Sequence, residues 1–396
     1  MAAADRVTDG AREAAPTSSR YPNFDVLRLI AASSVMFSHA FAITEGHERS
    51  EPFVRLLGPG NIVGVYAVYT FFIISGFLIT RSYNRSSLAD YVLKRGARIL
   101  PGLAVCVTVT SATAMLIAWR GQVPLSAMIA SIRYIIKSIL FINTSGFSLP
   151  GVVFSQNDFG KIFNGCLWSL EPELVCYVAV AALGMTGLLG PRAALAALIV
   201  GFVTHYNGWL GRVGLVMPFF AAGAMLYYWE ARPTLSKSTA LLAISGLAIG
   251  AAAGMPSIAF IFFGSWLIIA LATARHQIGG ATRYGDLSYG IYLYGWPIEQ
   301  TVRYLLGDAA TWWLVFLIAL PLAILAALIS WRFVEKPALL FSGSRRPSYR
   351  GAAFLLGLEL TNDKLSRNGL KNASWISKAI VAANPLNSGR TLSDRG

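Results

Sequence analysis

The sequence predicts an all-α fold, a polytopic transmembrane helical bundle, and three observations carry that prediction. Of the 396 residues 55% are hydrophobic and only 13% charged, whereas about a quarter of an ordinary soluble chain is charged. A soluble domain so composed would expose large apolar patches. The mean hydropathy is +0.56. Apolar stretches near the roughly 20 residues needed to cross a bilayer recur at 24–44, 62–81, 98–118, 167–188, 191–208, 211–229, 238–254, 256–274, 285–305 and 312–333, about ten spans.

Taken in order, residues 1–23 carry Arg6, Arg12 and Arg20 without an apolar run, so no cleavable signal peptide is expected and the first apolar segment stays as an anchor. The chain is thus read as an N-terminal cytoplasmic tail, 1–23, a membrane domain, 24–337, and a basic cytoplasmic tail, 338–396. Lys and Arg favour cytoplasmic loops. Arg81, Arg85, Lys94, Arg95 and Arg98, then Arg192, Arg232, Lys237, Arg275 and Arg283, fall on the N-terminal side of the membrane. An even span count places both termini in the cytoplasm. The connection 119–166 holds an apolar run, Ala127 to Ile142, broken by Arg133 and Lys137, read as an interfacial or re-entrant helix.

Lys plus Arg exceed Asp plus Glu by 33 − 19 = 14. Residues 81–98 contribute +4 and residues 338–396 contribute +6 of that excess, both on the expected cytoplasmic side. Nucleic acid is not needed to explain the charge, and the tail suits anionic membrane lipids. Cys106, Cys166 and Cys176 set no disulfide framework and have no metal-ligand spacing; no metal is expected.

Ionisable residues within spans mark candidate chemistry, because placing them there costs free energy. Span one holds Asp25, Arg28 and His39. Asp25 and Arg28 are spaced to pair on one face. Arg28 and His39, eleven apart, return to within about 20° of one face with a rise of roughly 16 Å. The bland alternative is a snorkelling Arg beside a packing His. His47, His205 and His276, in loops or at span ends, read as bystanders. Lys94, Arg95 and Arg98 open the third span, where a helix N-terminus adds partial positive charge. That suits phosphate, although positive-inside anchoring alone would also place cations there. A ligand gripped by phosphates here, with a long thin arm, would put its far end near His39; acyl-CoA has that shape. In the fourth span, Trp168-Ser169-Leu170-Glu171-Pro172-Glu173 places Glu173 at the depth expected for His39, where a carboxylate fixes an imidazole tautomer. A buried ion pair with another cation is the alternative for Glu173. Glu171 reads as a helix-start residue.

These residues resemble the acyltransferase 3 family of bacterial integral membrane acyltransferases over about 23–340. The matching pieces are Asn23 to Arg28 with His39, Phe71 to Ile79 around Ser75 and Gly76, and Arg95 and Arg98 with Ile99 and Pro101. Trp168-Ser169-Leu170 with Glu173 and Tyr177 follow, then Asp286 to Leu293, and Arg332 to Pro337. Two features depart from the pattern: many relatives carry His after the Tyr-Leu of the ninth span, where this chain has Tyr294-Gly295-Trp296-Pro297, and the tail after Pro337 is too short for the esterase-like domain that ends some relatives. The resemblance implies transfer of an acyl group, usually acetyl, from cytoplasmic acyl-CoA to a hydroxyl of a carbohydrate or glycolipid such as an exopolysaccharide or lipopolysaccharide unit. No permanently bound cofactor is implied. The expected setting is the inner membrane, with separate glycan-assembly proteins as further partners. Arg28, Lys94, Arg95 and Arg98 would hold the CoA phosphates. His39 would serve as general base or as acyl acceptor, with Glu173 orienting it. Asp25, Ser75, Trp168, Asp286, Ser288 and Glu335 would support them. The rival reading is a transporter or flippase in which His39, Glu173 and Arg28 line a path; against it stands the lack of a repeated pair of broken helices.

Overall fold

The computed structural model describes residues 23–118, 123–141, 154, 162–229, 235–274 and 285–343. The chain divides into Met1–Ser342 and Gly343–Gly396, and the architecture below is that of the first unit. The expected tails outside 23–343, together with Arg275, His276 and Arg283, lie outside the described residues.

Every regular element among the described residues is helical. Helices occupy all ten stretches read as spans: α1 Asn23–Glu45, α3 Val63–Tyr83, α4 Leu88–Ala118, α6 Leu170–Met185, α7 Pro191–Tyr206, α8 Gly211–Tyr228, α9 Lys237–Ala252, α10 Pro256–Ala259 continuing into α11 Ser265–Thr273, α12 Ser288–Leu306 and α13 Trp312–Ser330. Short helices α2 Pro52–Leu57, α5 Leu125–Ile139 and α14 Lys336–Gly343 complete the order. Among the described residues, six helical stretches are long and apolar enough to cross a membrane: those beginning at Asn23, Val63, Leu88, Gly165, Pro256 and Trp312. The others, α7, α8, α9 and α12, are shorter or more polar. The polarity of α12 comes from Glu299, Gln300 and Arg303 on a helix whose residues are mostly buried. Such a helix faces its neighbours rather than lipid.

Helix α1 packs against α3 on one side and α12 and α13 on the other. The α3–α8 pair is the tightest crossing that the sequence dictates, and Gly76 explains it. A Cβ on Gly76 would lie 1.9 Å from the Phe220 carbonyl oxygen, and one on Gly223 would lie 2.0 Å from that of Ile73. The two helices meet backbone to backbone, as small residues permit where lipid supplies no hydrophobic drive between helices. Tyr69 and Phe219 stack beside the crossing with ring centroids 3.7 Å apart.

The turn from α1 to α3 is built around Glu51, a fully buried carboxylate. It caps α2 through Phe53 N (2.8 Å), receives Val63 N at the start of α3 (2.6 Å), and takes the hydroxyl of Ser38 on α1 (2.8 Å). Three charge-assisted bonds offset its desolvation. Beyond α4, α5 covers most of the run expected to be interfacial. Ala127, Ser131, Tyr134 and Ser138 form its buried face, while Met128, Ile129, Ile132 and Ile136 are exposed beside Arg133 and Lys137.

Gly76→Ala or Gly223→Ala should force α3 and α8 apart, costing roughly 1–3 kcal/mol. Thermal unfolding of the detergent-solubilised protein should show a lowered Tm for both. Gly96→Ala, which meets open space on α4, should leave Tm unchanged or raised.

Candidate functional site

Polar residues gather at two levels along α1. At the first, Arg28 Nη1 lies 3.4 Å from Asp286 Oδ2, and Arg98 Nη2 reaches the same oxygen at 2.6 Å. Arg98 Nη1 also lies 3.6 Å from Glu335 Oε2. Ser288 donates to Asp286 Oδ1 (2.5 Å) and Ser330 to Glu335 Oε1 (3.0 Å). The Arg98 guanidinium lies 5.3 Å from the Tyr289 ring centroid, and Tyr289 in turn donates its hydroxyl to Ile99 O on α4 (2.7 Å).

Local sequence explains this convergence. Gly285 has φ +95°, the left-handed region that suits glycine, and a Cβ there would lie 2.0 Å from Trp331 Nε1. Asp286 then falls just before α12, where a helix N-terminus favours negative charge. After α13 the backbone passes through a π-turn, Trp331–Glu335, a device that re-aims side chains. Glu335 is thereby buried against Arg98. The wide helix turn gives the Arg332 to Pro337 motif a structural reason.

Two cations and two carboxylates balance here. Arg28 reaches Asp286 across the bundle, and Asp25 sits half-buried in the first turn of α1. Lys94 and Arg95 have no carboxylate within ion-pair distance among the described residues, and the buried Arg95 Nε has no hydrogen-bond partner. Lys94 and Arg95 thus add positive charge that these carboxylates do not neutralise.

At the second level, His39 packs edge-on against Trp296, with ring centroids 4.6 Å apart. Its Nδ1 lies 3.8 Å from Glu299 Oε2 and 3.9 Å from Cys166 Sγ. Pro297 creates this arrangement. A proline cannot donate to the carbonyl one turn back, so Leu293 O is left for Asn164 Nδ2 (3.0 Å) and the Cys106 thiol (3.4 Å). The segment 162–169 is thus laced across α12: Trp296 Nε1 and Gln300 Nε2 donate to Ile162 O (3.0 and 3.2 Å), and Tyr292 donates to Cys166 O (3.0 Å). A Cβ on Gly295 would lie 2.8 Å from Met36, so α1 occupies that space.

Glu173 is not beside His39, which corrects the depth argument. Its Oε1 accepts from Ser75 (3.3 Å) and from Tyr177, which Arg95 and Arg28 reach electrostatically. The chain enters through a 3-10 turn, Gly165–Ser169, whose Cys166 Sγ already lies 3.9 Å from His39 Nδ1. Seven more residues carry Glu173 about 11 Å deeper. The carboxylate at His39 is Glu299, which the sequence reading passed over although a lone acid in the middle of a span was the available signal. Trp168 is half-buried and packs on the main core. Of the bystander histidines, His47 pairs with Glu45 (3.9 Å) and His205 Nδ1 meets Leu215 O (2.9 Å).

The pattern of a family described as an acyltransferase domain matches residues 21–332, which include the residues of both levels except Glu335. The chain belongs to the acyltransferase 3 family. It is 29% identical over 366 residues to nodulation protein 10 of Rhizobium leguminosarum bv. viciae, covering 82% of this chain and 94% of that protein. It is also 29% identical over 331 residues to an O-acetyl transferase of Shigella phage Sf6, covering 79% of this chain and 94% of that protein. No solved structure matches the chain. This acyltransferase 3 protein is a membrane acyltransferase, and the transporter alternative is set aside.

Removing Arg98 would leave the buried Glu335 without its cation and Asp286 with Arg28 alone, and uncompensated buried charge typically costs about 3–5 kcal/mol. Arg98→Ala should therefore lower Tm sharply, whereas Lys94→Ala should leave it near wild type. Thermal unfolding in detergent separates the two.

Proposed function

We propose that the protein is an O-acyltransferase that moves an acetyl group from cytoplasmic acyl-CoA to a hydroxyl of a carbohydrate or glycolipid acceptor at the bacterial inner membrane. In this reading about ten helices span the bilayer and both termini are cytoplasmic. The observation that carries it is the placing of two levels on one face of α1. Arg28 and His39 stand eleven residues apart, roughly 16 Å, a span suited to the pantetheine arm of CoA. The name of the phage relative, O-acetyl transferase, supports the acetyl donor and hydroxyl acceptor.

Lys94 and Arg95 would take the CoA phosphates directly, with Arg28 and Arg98 adding field while tied to Asp286. Glu173, between the levels, would accept from a pantetheine amide N–H. His39 would take the acceptor's hydroxyl proton as the oxygen attacks the thioester carbon. The C–S bond then breaks, and the CoA sulfur leaves with that proton. The alternative order, in which His39 first accepts the acyl group and passes it on, uses the same atoms. Exopolysaccharide and lipopolysaccharide units are the acceptor classes proposed, with membrane lipids and separate glycan-assembly proteins as partners.

Purified protein given radiolabelled acetyl-CoA and crude surface polysaccharide should move label into the polysaccharide, and His39→Ala should abolish this while inserting and accumulating normally. Near-normal transfer by His39→Ala would sink the assignment. Arg95→Ala should raise KM for acetyl-CoA about tenfold, the worth of one charge-assisted hydrogen bond, with kcat little changed. The same kinetic assay measures both constants.

A further inference from the structure

We infer that Glu299 is the positioning residue for His39, holding the proton on Nδ1 so that Nε2 faces the acceptor hydroxyl as a base. The inference rests on the reading of His39 as base and adds a residue to it.

Glu299 is fully buried within α12, and neither carboxylate oxygen has a hydrogen-bond partner among the described residues. A buried carboxylate without donors is costly, and an apolar side chain of similar volume would stabilise the bundle more. The group that answers this carboxylate is the imidazole, with Nδ1 3.8 Å from Oε2. The neighbours of Glu299 are fixed: Trp296 and Gln300 are bonded to Ile162 O, and Trp296 also flanks the His39 ring. Pro297, two residues earlier, lies inside α12 and leaves the Leu293 carbonyl to Asn164 and Cys106. A distance of 3.8 Å is that of an ion pair rather than a hydrogen bond, and catalytic contacts of this type often tighten on substrate binding. Cys166 Sγ, on the same nitrogen at 3.9 Å, is too weak an acceptor to compete with a carboxylate.

The proton balance is simple. With Nδ1 protonated toward Glu299, Nε2 takes the hydroxyl proton while the acceptor oxygen attacks the thioester. The imidazolium, paired with Glu299, then gives that proton to the departing CoA sulfur. The step uses Glu299 as the anion that holds the imidazolium, as the carboxylate of a catalytic triad does.

The test compares Glu299→Gln, Glu299→Asp and Glu299→Leu with His39→Ala in the purified protein, using acetyl-CoA and polysaccharide isolated from a strain lacking the gene. Glu299→Gln should lose about 10²- to 10⁴-fold in kcat with KM for acetyl-CoA within about twofold of wild type. Glu299→Asp should recover part of that loss, and Glu299→Leu should fall to the level of His39→Ala. Size-exclusion profile and acetyl-CoA binding check that each variant is folded. Wild-type kcat in Glu299→Gln would overturn the inference, as would a loss that tracks the folded fraction or appears only in KM. If His39→Ala is itself active, the base reading fails. If His39→Ala is dead while Glu299→Gln is fully active, only the role of Glu299 fails.

Discussion

Two acid–base pairs tie α1 to α12, and the rest of the bundle is arranged around them. Arg28 meets Asp286 and His39 meets Glu299. The partners are eleven residues apart on one strand of the pairing and thirteen on the other, with Asp286 lying just ahead of its helix, so the two helices run parallel and in register. Ionisable groups inside an apolar bundle are tolerated only when they find one another. A slip of one turn along α1 would separate both pairs at once. Register, the property a purely apolar interface specifies poorly, is therefore set by charge.

Glycine and proline make the pairs reachable. Gly76 and Gly223 let α3 and α8 touch at the backbone, and α1 packs against that α3. Gly285 and the π-turn at Trp331–Glu335 bring Asp286 and Glu335 onto Arg98 from two directions. Pro297 sits within α12 next to Trp296, which flanks His39, and the Leu293 carbonyl it frees is what Asn164 holds. Each is a local departure from ideal helix, and departures of this kind concentrate at functional sites.

Helix positions were legible because about twenty apolar residues in a row have few other uses. The face shared by Arg28 and His39 followed from helix geometry alone. Partners across helices were not legible. Glu173 was placed beside His39 by counting inward from a span end, and the count assumed that the chain enters at the membrane surface; the 3-10 turn before α6 starts deeper. Arg98 read as a phosphate ligand because its two carboxylates lie 188 and 237 residues further along the chain, beyond any local pattern. Glu299 was visible as an acid in a span, but nothing near it in sequence says which helix it faces.

The account makes α1 a ruler, with the CoA phosphates at one level and the thioester at the other. An experimental structure of the protein with acetyl-CoA bound measures that directly. The account predicts phosphates at Lys94 and Arg95 and the thioester carbonyl carbon at His39, close enough that a hydroxyl between them would sit roughly 3–3.5 Å from the carbon it attacks. Acetyl-CoA bound with its thioester at the Asp286 level, or on a face that does not include His39, would contradict it.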